Sequence, residues 1–283
     1  LPFYVLKRQI FKIKILKKIL FIISLILANI ITLKAQCEIA NQTFVKNEYL
    51  KYQVYYNWGV IWVKAGQVVF NVKDTTINKV SLWKFTSIGK SQSSYDWFFK
   101  VRDNFESIVY KETLKPIYHH SKTLEGNDIS DNEYIFSKKK QKIFCSSYNS
   151  NKSTKITKDT FAYDNCIFDV LSATYFTRSL DFSNTKLNDS IPIKTIIDGE
   201  KIKIYVKYLG EEEITHINEK KYKTIKFSTS VAEGSVFKAN QKIYVWVSND
   251  KNRIPILIKA DILVGSVKVY LLETKNMKFT SNY

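Results

Sequence analysis

The sequence predicts an all-β protein: an antiparallel, strongly curved sheet, barrel-like in architecture, with one inserted α-helix at about 167–180. Three observations carry that reading. Apolar and polar residues alternate with period two over most of the chain. Turn chemistry interrupts the alternation at short intervals. A single stretch switches to helical spacing. So many sequential strands leave long free edges unless the sheet curls on itself, and a curve closing towards a barrel is the expected solution.

The leader comes first. Lys7, Arg8, Lys12, Lys14, Lys17 and Lys18 form a basic run without an acid, residues 19–33 are apolar, and Leu33-Lys34-Ala35 precedes Gln36. That is the order of a secretory signal with cleavage after Ala35, making 1–35 a signal peptide and 36–283 one β-rich domain. As a helix the apolar stretch would span about 22 Å, short of the ~30 Å hydrocarbon core of a bilayer. Lipidation at Cys37 is the alternative fate of this segment, and the bulky Gln36 before it disfavours that. The expectation is an exported protein, periplasmic or envelope-associated, that touches a membrane only through the signal before cleavage.

The strands follow. Leu50, Tyr52, Val54 and Tyr56 alternate with Lys51, Gln53 and Tyr55, the mark of a half-buried strand. Similar patterns occupy 67–72, 80–88, 105–110, 116–124, 133–137 and 142–147, with a short helical turn expected within 94–101. Lys138-Lys139-Lys140 falls between two strands as a hairpin turn. Ile167, Leu171, Thr174, Tyr175 and Arg178 then lie at helical spacing, with Asp164 or Asn165 placed to cap the first turn. Beyond them strands resume at 191–197, 201–209, 211–217, 221–230, 241–248, 255–262 and 265–273. Asp198-Gly199 is a strong two-residue hairpin signal, and Val264-Gly265-Ser266 makes a second tight reversal. The helix thus joins sub-halves at 40–160 and 185–275.

Composition narrows the function classes. The formal charge is +18; without the seven basic residues of the leader, 37 basic residues face 26 acidic ones, a charge of +11. The cations are mostly lysines spread along the chain, the pattern of solvated strand faces rather than of a nucleic-acid patch. Export also argues against nucleic acid. In an oxidising compartment Cys145 and Cys166 could pair, contributing about 3 kcal/mol, with free buried thiols as the alternative and Cys37 left over.

Catalytic constellations are not evident. His119 and His120 are adjacent in a strand, point to opposite faces and cannot easily share a metal. Neither a nucleophile elbow nor a Gly-rich phosphate loop is present, and no metal, cofactor or catalytic residue is expected. Asp96, Asp103 and Glu106, near Trp97 and Arg102, are the one carboxylate group that could grip and hydrolyse a sugar. Asp128, Asp131 and Glu133 read as a solvated turn rather than a calcium loop. Tyr56, Trp58-Gly59 and Trp62 put large rings around a turn, where they could line a mouth for a ligand or pack across a hairpin. The ligand-lining set is therefore Tyr56, Trp58, Trp62, Trp97, Arg102 and Asp103.

Several clusters together resemble the exported bacterial family known as domain of unknown function 3108. They are Glu48-Tyr49-Leu50-Lys51-Tyr52, Trp58-Gly59, Ala65-Gly66, Asp103, Glu125-Gly126 and the helix Asp169-Val170-Leu171-Ser172-Ala173 with Tyr175 and Arg178. Trp246-Val247-Ser248 with Asp250, Arg253-Ile254-Pro255 and Gly265-Ser266-Val267 complete the set. Asn47 departs from the pattern, since the family commonly has glycine there. The resemblance implies an exported, β-rich protein of envelope-bearing bacteria and supplies no catalytic residues. Gly59, Gly66, Arg178, Trp246, Arg253 and Pro255 have scaffold readings: turns and bulges for the glycines, and a pairing of Arg178 with the helix dipole or a carboxylate such as Asp103. Arg253 and Pro255 read as the turn into an edge strand. The expected function is non-catalytic: binding an apolar or glycan-bearing ligand on the curved sheet, with an assembly partner in the envelope as the alternative and glycan processing behind both.

Overall fold

The computed structural model describes residues 37, 39–58, 61–231, 242–261 and 265–281. The expected signal peptide and cleavage site, Gly59 and Val264 lie outside them. The strands are β1 (Tyr49–Trp58), β2 (Ile61–Ile77), β3 (Val80–Ser91), β4 (Val101–Tyr110), β5 (Pro116–Glu125), β6 (Asp128–Ser137), β7 (Lys142–Asn149) and β8 (Thr157–Ala162). After these come β9 (Ile167–Asp169), the helix α1 (Val170–Arg178), β10 (Ser190–Ile197), β11 (Glu200–Thr215) and β12 (Lys221–Val231). The last are β13 (Ile243–Ser248), β14 (Pro255–Asp261) and β15 (Ser266–Lys275).

All fifteen strands form one sheet in the order β8-β7-β6-β5-β4-β3-β2-β1-β15-β14-β13-β12-β11-β10-β9, antiparallel except for the β9–β10 pair. The sheet is not hydrogen-bonded into a closed barrel; β8 and β9 are its edges. It rolls instead. On β10, Ile193 packs with the helix residues Ala173 and Phe176, while Ile196 points the other way onto Tyr134, Phe136, Ile143 and Cys145 of β6 and β7. The β9–β10 edge is therefore tucked inside the curve of β6 and β7 and is buried on both faces. The tip of the β10–β11 hairpin seals the overlap, because the Gly199 N–H donates to the Tyr134 hydroxyl (3.0 Å) and the Asn132 side chain donates to Asp198 (3.1 Å). Asp198 and Gly199 both have positive φ, 49° and 76°, as a two-residue hairpin turn requires.

Helix α1 lies inside the roll and buries apolar side chains on two sides. Leu171 and Tyr175 join Phe44, Val72, Phe85 and Val109, with Tyr175 stacked on Phe85 at 3.9 Å. Ala173 and Phe176 join Phe168, Val206, Ile225, Phe227 and Val247 on the opposite side. A helix gripped from two sides needs two apolar stripes.

Four expectations are corrected. The helix starts at Val170 rather than at 167, and its cap is Asp169, not Asp164 or Asn165. Asp169 accepts the Leu171 and Ser172 N–H groups while the Ser172 hydroxyl serves the Asp169 N–H, a capping box that the sequence Asp-x-x-Ser allows. Asp164 instead binds Lys194 and the Cys166 N–H. Cys145 and Cys166 do not pair: the disulfide joins Cys37 to Cys166, with Cα atoms 5.1 Å apart, and Cys145 is a buried free thiol among Tyr134, Ile143 and Ile196. Residues 128–133 lie within β6, not in a turn. Finally, Pro255 opens a central strand rather than an edge; a register irregularity opposite Val247 accommodates its missing N–H.

Candidate functional site

The registers sort the predicted ligand-lining residues onto two faces. On the inner face Tyr56, Val267, Ala260, Ile243 and Thr229 form one row across β1, β15, β14, β13 and β12. Facing it in the roll is a second row, Val68, Gly89, Asp103, Thr123 and Ser130, across β2 to β6. The first row is mainly apolar and the second mainly polar. Both lie towards the end of the sheet that carries the 92–100 and 198–199 loops, whereas Arg178, at the end of α1, reaches Asn252 at the opposite end. Val267, Ala260 and Ile243 belong to none of the four core clusters among the described residues.

The length mismatch between helix and strands explains why. Nine helical residues cover about 14 Å at ~1.5 Å per residue. The ten residues of β1 or β4 reach about 33 Å, and the longer β2 and β11 extend further. The helix fills one end of the roll and leaves the inner face of the other end without a covering element of the described chain.

Asp103 is the chemical centre of that end. Gly89 lies opposite, where a Cβ would make only ordinary contact with the Asp103 Cβ and carboxylate, at 3.5 and 3.6 Å. Its Oδ1 is buried with no hydrogen-bond partner among the described residues. Burial pushes the carboxyl up to about 6, repulsion from Glu125 adds to this, and the Leu124 backbone N–H offsets part of it.

The other predicted residues point elsewhere. Trp62 is on the outer face, with Lys268 Nζ 4.0 Å above its ring. Arg102 is outside too, bound to Asp96 at 2.5 Å. Trp97 stands on the loop between β3 and β4 at 82% exposure. Trp58 ends β1, and its side chain is not among those described. The carboxylates considered for sugar hydrolysis do not converge: Asp96 holds Arg102, Glu106 holds Lys84 on the outer face at 2.7 Å, and Asp103 faces inward. Alternation along β4 forces that split.

Sequence reasoning missed a buried polar cluster beneath the open end. The Ser107 hydroxyl donates to Asp169 (2.6 Å) and lies 3.0 Å from His119 Nδ1, which itself lies 3.2 Å from the same carboxylate oxygen. Burial alone would raise the Asp169 carboxyl, but His119, Ser107 and the helix N–H groups hold it below the ordinary range. Serine, histidine and aspartate here are not arranged as a charge-relay triad. Serine and aspartate meet the same ring nitrogen, and all three residues are buried. The cluster positions the start of α1.

Arg178 and Arg253 lie in a knot at the closed end. Arg178 binds Glu48, not Asp103, through two bonds and also donates to the Asn252 carbonyl. Asp250 accepts from Ser248, Asn252 and Arg253, while the Arg253 guanidinium donates to the Leu180 carbonyl. Trp246 donates to Glu212 (3.0 Å) beneath Lys226 and Lys259. Gly66 sits where a side chain would overlap the Lys90 carbonyl.

The sequence profile of the protein family of unknown function DUF3108 matches residues 51–272. The chain belongs to that family. Its quoted motifs now have places: the helix and Arg178, the Asp250 loop and Asp103 are the closed-end knot and the open-end carboxylate. No protein of curated function matches in sequence. Among solved structures, a β-barrel-like protein of domain of unknown function DUF1849 from Brucella abortus superposes with TM-score 0.54 at 8% identity, covering 84% of this chain and all of that one. It shares the fold. A proposed lipoprotein from Parabacteroides distasonis aligns with TM-score 0.36 at 12% identity, over 84% of this chain and 99% of that one.

Proposed function

We propose that this DUF3108 member is an exported, non-catalytic envelope protein that binds an amphiphilic ligand, apolar or glycan-bearing, in the open end of its rolled sheet. One observation carries the reading: α1 plugs only one end, so a mainly apolar row and a polar row containing Asp103 face each other without a covering element of the described chain. An acyl or other apolar moiety suits the first wall and a hydroxyl-rich head the second. The Cys37–Cys166 disulfide supports export, because such bonds persist in oxidising compartments. It also ties down the residue two positions beyond the expected cleavage site.

Native mass spectrometry of the protein purified from its own envelope in mild detergent tests this. A co-purifying mass in the lipid or glycan range, lost on replacing Ala260 by Trp to fill the open end, is the expected result. A bare mass from the folded wild-type protein counts against ligand binding. A mass equal to a second protein would favour the assembly reading, for which the exposed edge strand β8 provides a pairing surface.

A further inference from the structure

Trp97, Phe98 and Phe99 are consecutive and exposed at 82%, 55% and 50%, the only such run of three large apolar residues among the described residues. Apolar side chains on a loose loop usually fold back onto the protein. This loop is braced so that, although the Phe99 ring lies over Gly126 and Trp97 meets Phe98 edge-on at 5.9 Å, all three stay at least half exposed. A 3₁₀ turn at Ser93–Tyr95 starts it, and the Phe98 and Phe99 N–H groups both donate to the Tyr95 carbonyl at 3.0 Å. Asp96 is clamped by Arg102 and Ser91, and the Gly126 N–H closes the loop onto the Lys100 carbonyl at 2.7 Å.

The surroundings are cationic as well as apolar. Lys100 directly follows the rings. The outer face beside the loop holds a groove of about 500 Å³ with Lys90, Arg102 and Lys122 around Ile88, Leu124 and Ile129. Asp96 neutralises Arg102, while Asp131 lies 3.8 Å from Lys122 and binds His120. Lys90 and Lys100 form no ion pair within 4.0 Å among the described residues, although Asp96 lies near enough to feel the charge of Lys100, and the chain beyond the expected leader carries a formal +11.

We infer that the Trp97-Phe98-Phe99 loop is a membrane-surface anchor that inserts its rings at the interface of an anionic phospholipid bilayer, with Lys90 and Lys100 meeting the headgroups. Tryptophan and phenylalanine flanked by lysine are the side chains that favour this boundary. Three exposed rings on one braced tip suit a deformable lipid surface better than a single preformed protein pocket. Membrane contact then extends beyond the signal segment, and the inference does not depend on a ligand in the open end.

The test is flotation of the exported protein, its N-terminus established by mass spectrometry, with vesicles of phosphatidylethanolamine and phosphatidylglycerol or of phosphatidylcholine alone. The wild type should float with the anionic vesicles, less so as salt is raised. The triple variant Trp97→Ser, Phe98→Ser, Phe99→Ser should bind about tenfold or more weakly with an unchanged melting temperature, since the rings are exposed. Should the triple variant melt early, Trp97→Ser alone, at the most exposed ring, serves instead. Lys90→Gln with Lys100→Gln should weaken binding to the anionic vesicles only. Equal flotation of wild type and ring variants, or no flotation of the wild type, overturns the proposal; equal binding to both vesicle types overturns its headgroup part. Ligand retention by the ring variants reports separately on the open end.

Discussion

Arg178 and Glu48 form a buried, two-pronged ion pair, with contacts of 2.7 and 3.1 Å and side-chain exposures of 4% and 0%. It joins the last turn of α1 to the residue before β1. The third Arg178 bond, to Asn252, brings in a loop whose Asn252 side chain in turn holds the Phe279 backbone by two bonds of 2.9 Å. Three distant stretches of chain thus meet at one guanidinium, and Asn252 ties in a fourth. Burial opposes the Arg178 charge, but Glu48 more than compensates and raises its pKa.

Breaking one partner of that pair should cost more than removing both. Glu48→Gln leaves a buried cation facing a neutral amide and is expected to destabilise by about 3–5 kcal/mol, read as a lower urea midpoint. The double variant Glu48→Leu, Arg178→Met should recover part of the loss. If the single variant unfolds at the wild-type midpoint, the pair is not buried as described.

The cysteines yield a second expectation. The Cys37–Cys166 link closes a loop of 129 residues, for which the chain-entropy relation gives about 5 kcal/mol. Peptide mapping without reduction should recover these two cysteines together. Cys166→Ser should lower the melting temperature markedly. Cys145, whose thiol burial pushes up to about 12, should resist alkylation until the protein unfolds. Alkylation of Cys166 in the native protein would contradict the pairing.

Much of this architecture was legible in the chain, because local chemistry decides local geometry. Period two gave the strands, and Asp198-Gly199 marked its hairpin because Asx and glycine accept two successive positive φ values most readily. What was not legible depends on residues far apart in sequence. Nothing local in Cys166 distinguishes Cys37, 129 residues away, from Cys145. Nothing near Arg178 indicates Glu48, 130 residues earlier. The candidate site divided for a different reason. Tyr56 and Trp62, or Asp103 and Glu106, look like neighbours along the chain, but strand alternation and the β1–β2 bulge send them to opposite faces.

Asp103 should make stability depend on mild acid. Its folded pKa, about 6, lies above the ordinary value of 3.8, so between these values the native state binds more protons than the unfolded chain. The stabilising proton is in place below about pH 4 and is lost as pH rises through 6. Asp103→Asn, which keeps the shape without the charge, should therefore be more stable than wild type at pH 7.5 by about 1–2 kcal/mol after allowance for partial solvent screening. The advantage should shrink towards pH 4. Paired urea titrations at the two pH values decide it: a variant whose advantage is the same at both shows that Asp103 does not titrate in this window.

Asn47 connects the departure from the family pattern to backbone geometry. It adopts φ of 64°, donates its N–H to the Val72 carbonyl at 2.8 Å and accepts from the Asn276 side chain at 2.9 Å. Glycine enters this left-handed region without strain, and asparagine is among the few other residues that tolerate it. Either residue therefore suits the backbone geometry at the entry to β1. Asn47→Gly should leave stability within about 0.5 kcal/mol, the relief of strain being offset by the greater freedom of the unfolded chain. Asn47→Val should cost about 1–2 kcal/mol, because its branched Cβ crowds the carbonyl in this conformation. The effect should reach Arg178, since Glu48 is the next residue and its carboxylate must enter the core at a set angle. Arg178 guanidinium exchange, followed by NMR, should therefore accelerate in the valine variant and not in the glycine one. Equal exchange in both would separate the turn from the ion pair it is argued to aim.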